Sequence, residues 1–364
     1  MTRRFLMWTL FVGLTVEWIA PAAAYVQATG TIGGLVTDES GAVMPGVTVE
    51  VTNTDTNQSR SGVTGTDGFY TFPLLQPGPY SVKATLQGFR TALREGVRVT
   101  VESTARVDVR LSVGQLEESI KVTGEAPLVD TSSASLGTVI DEKKIVELPL
   151  NGRNFTQLGT LIPGVVASPP ALGGAAGDAT PGGFGATTAG FSVNGMRNQS
   201  NNFLLDGASN NDTFNTGFVM RPPPDAIQEF KIQTHSYNAE FGRNTGSVVN
   251  VVTKSGTNAL HGAVWEFNRD DALQARNFFA PSTQNKPKLK QNQFGASLGG
   301  PILGDRFFGF GYYDGYKQKR GNTTNVVVLS DAQRSGDFGS TTVRDPLTDA
   351  AFPNNTIPSG RISP

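Results

Sequence analysis

Histidine and cysteine most often hold a metal or start a nucleophilic reaction, and this chain has two of the first, His235 and His261, and none of the second. No thiolate site, no multi-histidine metal site and no disulfide can be built from that inventory. Neither histidine heads a His-x-x-Glu pair of the kind that zinc carboxypeptidases require. Asp212-Thr213-Phe214-Asn215-Thr216-Gly217 has the outline of a calcium loop, but Phe214 stands where an oxygen ligand is needed. Serine, histidine and aspartate are all present, yet most unpaired histidines are structural or surface groups, and no catalytic set is read from them. The triplets at Asn57, Asn154 and Asn198 fit a glycosylation pattern short enough to arise by chance, and carry no assigned role. The expectation is therefore no enzyme, no cofactor and no metal.

A different kind of chemistry is open to Ser119-Ile120-Lys121-Val122-Thr123. This brief alternating run lies in a polar stretch that Gly124 and Pro127 bring to a stop. A short extended segment can act by giving its backbone hydrogen bonds to the sheet edge of another protein. Residues 113–127 are read as a linker holding that one strand, and the elements on either side must position it.

The bulk properties bound those elements. Lysine and arginine total 30 against 31 aspartates and glutamates, with no long run of either sign, so nucleic acid is not an expected partner. Glycine is abundant at 43 residues and charged residues are sparse at 17%, a composition that favours turns and half-buried strands. The chain opens on Met1-Thr2-Arg3-Arg4, continues through an apolar run to Ile19 and closes on Ala22-Ala23-Ala24. That is the order of a secretory signal peptide, residues 1–24, with cleavage expected between Ala24 and Tyr25. Glu17 and Pro21 shorten the run below the roughly 20 residues a spanning helix needs. Any later membrane crossing must be made by strands, which hydropathy scans miss.

Residues 30–112 alternate strand-like runs with turn clusters: Thr31 to Thr37, Val47 to Thr52, Phe69 to Phe72, Tyr80 to Ala84, Val97 to Val101 and Ala105 to Leu111. Six or seven strands without helical period predict a small β-sandwich. Residues 128–254 read differently. Two short helical patterns are interrupted by Pro149, with Phe155, Leu158 and Leu161 or Ile162 on one face of the second, and a long Gly/Ala/Pro-rich loop is expected from Ala167 to Gly190. Phe191 to Gly195, Asn202 to Gly207 and Pro224 to Ile232 add strands and a helical turn, predicting a small mixed α/β sheet. From Ser255 onward alternation returns. Ala263, Trp265 and Phe267 share one face of the first stretch, Gln293 to Leu298 repeat the pattern, and Phe308, Phe310, Tyr312 and Tyr316 oppose Gly309, Gly311 and Gly315. The aromatic bias suggests a lipid interface, where Trp and Tyr sit at headgroup level.

Four sets of words carry resemblances to known families. Gly33 to Asp38, Gly46 to Val49 and Thr66 to Tyr70 are similar to the carboxypeptidase regulatory-like domain. Val193-Asn194-Gly195, Leu205-Asp206-Gly207, Ile227 to Ile232, Ala239 to Gly242 and Gly246 to Lys254 resemble, in order and spacing, the plug domain of TonB-dependent receptors. Within that resemblance the plug-motif residues are Asn194, Gly195, Asp206, Gly207, Phe241, Gly242, Gly246, Asn250, Thr253 and Lys254. Glu147 to Phe155, joined to a sandwich upstream, is similar to the Oar-like branch of the family; the extra N-terminal domain departs from iron-siderophore receptors. Ser119 to Thr123 resembles the TonB box.

The resemblance implies an outer-membrane receptor of mainly β structure: sandwich, mixed α/β plug, then the first strands of a transmembrane β-barrel. Its partners would be a TonB-type periplasmic coupling protein, outer-membrane lipid and an extracellular solute, with work drawn from the inner-membrane proton gradient. Receptors of this architecture close with about 22 strands, so residues 255–364 are expected to begin a barrel that is cut off before completion. The other reading is a surface adhesion protein whose β-sandwich binds carbohydrate or protein without transport; the plug words between sandwich and later strands count against it.

Overall fold

The computed structural model describes residues 28–114, 119–123, 135–167, 191–197, 200–212, 218–237, 240–242, 244–276, 278, 286–321 and 328–362. The signal-peptide reading of residues 1–24, most of the predicted loop from Ala167 to Gly190, and most of the calcium-like loop lie outside the described residues. The chain is mainly β. Strands β1 (Gly30–Thr37), β2 (Thr48–Asn53), β3 (Ser59–Val63), β4 (Phe69–Leu75), β5 (Gly78–Thr85), β6 (Thr91–Val99), β7 (Thr104–Arg106) and β8 (Val109–Arg110) form the sandwich. One sheet runs β4-β1-β7, with β8 also on β1; the other runs β3-β2-β5-β6 and continues into β9 (Ser119–Thr123).

Strict alternation makes this core. In β1 every second residue is buried, as are Val49 and Val51 of β2, and Tyr80, Val82 and Ala84 of β5. These close on Tyr70, Phe72, Val97, Val99 and Val109 from other strands and on Leu111 just after β8. Each fully buried aliphatic side chain contributes roughly 1.5–3 kcal/mol relative to exposure. Within one sheet, β1 and the segment between β7 and β8 approach so closely at Gly34 that a Cβ there would fall on the Val107 carbonyl. Tyr70 of the neighbouring strand β4 reaches across β1 and donates its hydroxyl to the same carbonyl at 2.6 Å.

The second module holds β10 (Leu136–Asp141), β11 (Val165–Ala167), β12 (Phe191–Val193), β13 (Asn202–Leu205), β14 (Ala208–Ser209), β15 (Ile227–His235) and β16 (Val248–Thr253). Its main sheet runs β10-β15-β16-β13-β14, with β13 parallel to β16 and the other pairs antiparallel. The two helical patterns around Pro149 become helix α1 (Glu142–Glu147), N-capped by the Asp141 side chain, and two 3-10 segments, Asn151–Arg153 and Phe155–Leu161. Phe155 and Leu158 pack on the sheet. Of the two alternatives for the third position, Ile162 is buried at 5% exposure and Leu161 is exposed at 64%. Phe155 meets Phe230 edge-on, with centroids 5.3 Å apart, inside a core that includes Ile140, Phe203, Ile232 and Val249.

β17 (His261–Asp270), β18 (Leu289–Leu303) and β19 (Phe307–Arg320) make one sheet in that order. The face carrying Val264, Leu298, Ile302, Phe307 and Tyr313 is exposed and apolar. Trp265 corrects the reading of aromatic residues as lipid anchors: it points the other way and is buried at 6% exposure. Its ring lies where a Cβ on Gly295 would be, just as Phe294 covers Gly315 on the outward face. The glycines leave room for neighbouring rings, which pack over the backbone. The last turns of the chain form α2 (Asp331–Arg334), with a Ser330–Gln333 capping box, and an ion-paired loop between Asp345 and Arg361. No helix among the described residues is long and apolar enough to cross a membrane.

Candidate functional site

The linker strand is the first feature to locate. β9 is the terminal strand of the five-stranded sandwich sheet, pairing in parallel with β6 in the register Thr91↔Ser119 through Glu95↔Thr123. The run Ser119-Ile120-Lys121-Val122-Thr123 is therefore extended, as its alternation predicts, and it is an added strand of the sandwich rather than an isolated piece of linker. Just upstream, Arg90 donates its backbone N–H to the Ser112 carbonyl at 2.9 Å, and Gly114 donates to Gly88 at 3.2 Å.

The plug-motif residues fall into groups at two ends of their sheet. At one end Asn194 and Gly195 turn the chain with positive φ of 51° and 75°, and Asn194 donates from Nδ2 to the Thr234 carbonyl at 2.8 Å. Gly246 lies there too, where a Cβ would strike Asn201 and the Ser200 carbonyl. Phe241 is half-buried and Gly242 exposed in the segment before it. Thr234, Asn194, Gly137, Ile162, Tyr237 and Thr245 border a cavity of about 990 Å³ at this end. At the other end Asp206 and Gly207, with φ of 51° and 81°, form the β13–β14 turn. The Asp206 carboxylate accepts from the Thr253 backbone N–H and hydroxyl, both at 2.8 Å, while Lys254 pairs with Glu142 at 2.6 Å. β16 leaves the plug from this second end and leads into β17.

Asn250 stands apart from both groups, on a buried polar face of the sheet. Glu229, Lys231 and Gln233 alternate along β15 with Phe230 and Ile232, so one face is apolar core and the other polar. That polar face is covered by the turn that follows β6. The Val101 backbone N–H donates to Glu229 at 2.6 Å, Lys231 donates to the Glu102 carbonyl at 2.5 Å, and Asn250 donates to the Glu102 carboxylate at 2.6 Å. Burial pushes both carboxyls above the ordinary glutamate range, against lowering by Asn250 at Glu102 and by the Val101 N–H at Glu229. Sequence reading missed this set. Alternation along β15 was the available signal, but alternation alone looks the same for a solvated face.

Arg153 is the second residue whose role the sequence left open. Its backbone has φ of 55°, and its side chain pairs with Asp225 where both are nearly buried. The guanidinium carbon lies 4.1 Å from the Phe267 ring centroid and 5.7 Å from that of Trp265. Trp265 in turn donates from Nε1 to Asp314 at 3.0 Å, and Gln293 donates to the same carboxylate at 3.0 Å. The arginine of the Glu147 to Phe155 word thus joins the plug to the inward face of the first strands. Desolvation lowers its pKa, opposed by the Asp314 charge.

The two histidines are far less engaged. His235 is exposed at the end of β15, and His261 stacks on Phe310 with centroids 6.2 Å apart. No group of three or more His, Cys, Asp or Glu among the described residues could hold a metal ion.

The connections of the barrel strands differ at their two ends. The turn at residues 304–306 joins β18 to β19 and is tied to the sandwich: Asn57 donates to Asp305 at 3.1 Å, and Asn258 donates to Asp305 at 2.7 Å while its own N–H reaches the Asp55 carbonyl. The much longer connection 271–288 joins the other ends of β17 and β18.

Comparison with known proteins gives three consecutive matches. Residues 31–112 match the carboxypeptidase regulatory-like domain, 130–249 the TonB-dependent receptor plug domain and 252–364 an outer membrane beta barrel domain. The TonB-dependent transporter Oar of Myxococcus xanthus is 29% identical over 305 residues, which is 79% of this chain and 27% of that protein. The chain thus spans well under half the length of this curated relative. Among solved structures, the siderophore receptor PirA from Acinetobacter baumannii aligns at 21% identity over 50% of this chain and 24% of its own, with a TM-score of 0.35. The outer membrane transporter YddB from Escherichia coli aligns at 14% identity over 50% and 26%, with a TM-score of 0.38.

Proposed function

We propose that the chain is part of a TonB-dependent receptor of the outer membrane, as its three consecutive domain matches and its likeness to a TonB-dependent transporter support, and that this receptor takes up a large solute through a plugged barrel, with residues 119–123 as the segment gripped from the periplasm. The solute docks on the outer side of the plug, which blocks the lumen until the grip is pulled. A TonB-type periplasmic protein would transmit work from the inner-membrane proton gradient. In this reading Asn194, Gly195, Gly246, Phe241 and Gly242 shape the solute-facing end. Asp206, Gly207, Thr253 and Lys254 brace the end where the plug meets the barrel, and Asn250 holds the polar face between them.

The polarity of the first three barrel strands carries this reading. Outer-membrane barrels have short periplasmic turns and longer external loops. The short turn 304–306 is the one bonded to the sandwich loop, and β17 starts from the plug end braced by Asp206. This supports a periplasmic sandwich and coupling strand, and an outward-facing cavity at Asn194 and Thr234. An adhesion protein would need none of this, and its binding module would face outward.

Proline tests the role of the strand, because it removes a backbone donor and resists strand pairing. In the full-length receptor Ile120→Pro and Val122→Pro are expected to abolish uptake while leaving solute binding at the cell surface unchanged. Unchanged uptake in both variants would move the coupling segment elsewhere or remove transport altogether.

A further inference from the structure

We propose that strand 119–123 is held in cis by the sandwich and must leave β6 before a periplasmic partner can take it, so that the regulatory-like domain sets the availability of the coupling segment. The inference rests on the reading of 119–123 as that segment, and adds a step before it.

The pairing pattern carries the argument. β6 has β5 on one side, in antiparallel register from Gly78↔Val99 to Ala84↔Ala92. Its other side would be an open edge along Thr91 to Glu95 without β9. An unpaired edge is a template for any extended chain, and here the neighbouring segment of the same chain fills it. The hold starts upstream, where Ser112 and Gly114 are bonded back to Arg90 and Gly88, and where Phe89 and Val113 form a bridge. Residues 112–114 and 119–123 therefore line residues 88–95 in two stretches.

The hold is also of a releasable kind. Parallel pairing is slightly weaker per residue than antiparallel, the strand is five residues long and, among the described residues, it has a neighbour on one side only. A partner that paired with the outward row of the docked strand would pull against the sandwich sheet, and the tension would divide before it reached the plug. A partner that takes the strand off β6 pulls on the plug through residues 124–134 alone. Because only the released fraction can bind, apparent partner affinity is reduced in proportion to the fraction docked.

The absence of native cysteine allows a direct test. Leu93 and Lys121 are register partners, and neighbouring strands lie about 4.8 Å apart, within disulfide range. In the full-length receptor carrying L93C and K121C, binding of the purified periplasmic domain of the TonB-type protein is measured before and after reduction. The expected result is a disulfide that forms readily and weakens partner binding at least tenfold, with recovery on reduction. A disulfide that does not form, or equal affinity of oxidised and reduced protein, would each overturn the exchange. Ile120→Pro and Val122→Pro in the same assay separate the two ideas. If they leave partner binding intact, the coupling segment itself is misassigned; if they abolish it while the cross-link has no effect, only the exchange fails.

Discussion

Arg153 illustrates how much a single residue contributes once its surroundings are known. In sequence it is the basic residue in a Pro-Leu-Asn-Gly-Arg-Asn-Phe word, legible as a motif and silent as to partner. In the structure it pairs with Asp225 and lies over Phe267. A buried pair broken by removing one member leaves the other charge uncompensated, at a cost of about 3 kcal/mol or more. Arg153→Met should therefore destabilise the plug by about that amount, and Arg153→Met with Asp225→Leu by clearly less. Arg153→Lys should keep the pair but lose the planar contact with Phe267, at roughly 1 kcal/mol. Denaturation of the detergent-solubilised receptor, followed by a probe attached to the plug, measures all three; equal losses in the single and double variants would remove the ion pair from the account. Trp265 teaches the complementary lesson. Its place in an alternating aromatic run was legible, but not which face the plug would occupy, and so the tryptophan expected at lipid is instead inside.

At the scale of elements, alternation identified most of the sandwich and failed where an edge strand had nothing to bury. β3, Ser-Arg-Ser-Gly-Val, is exposed along nearly its whole length and left no apolar pattern to read. β9 was legible as a strand because its residues alternate, but its pairing with β6 is a contact between distant parts of the chain that no local pattern encodes. The same limit hid the polar contact between β15 and the turn after β6. Glu229 there has a carboxyl raised above its ordinary 4.5 by burial, opposed by the Val101 N–H, Arg98 and Lys231 and reinforced by Asp141. A carboxyl raised on folding binds its proton more tightly in the folded state. Its contribution is thus fully present below the ordinary value and is lost as pH rises through the raised one. Glu229→Gln keeps an acceptor for Val101 and removes the charge. It should raise the melting temperature of the receptor at pH 7 and change it little near pH 4. A pH-independent effect would mean that the carboxylate is solvated and that the sandwich does not cover this face.

For the whole molecule, the mainly β character was readable, with strict alternation in the first segment, a mixed sheet broken by helical turns in the second and renewed alternation in the third; which face of the last strands turns outward was not, and the exposed apolar face carries Val264 and Leu298 rather than Trp265. Orientation was not readable, since it depends on which ends of β17, β18 and β19 meet the sandwich. The Asn57–Asp305 bond ties the short turn to the sandwich, and it supports the central proposal, that the strand between sandwich and plug works on the periplasmic side in the hand of an energy-coupling partner. A photo-reactive amino acid at Lys121 of the full-length receptor, activated in living cells during solute uptake, tests that claim most directly. The account predicts a covalent adduct with the TonB-type periplasmic protein, which increases when solute is supplied. Uptake proceeding with no such adduct, or labelling of Lys121 by a reagent confined to the cell exterior, would contradict it.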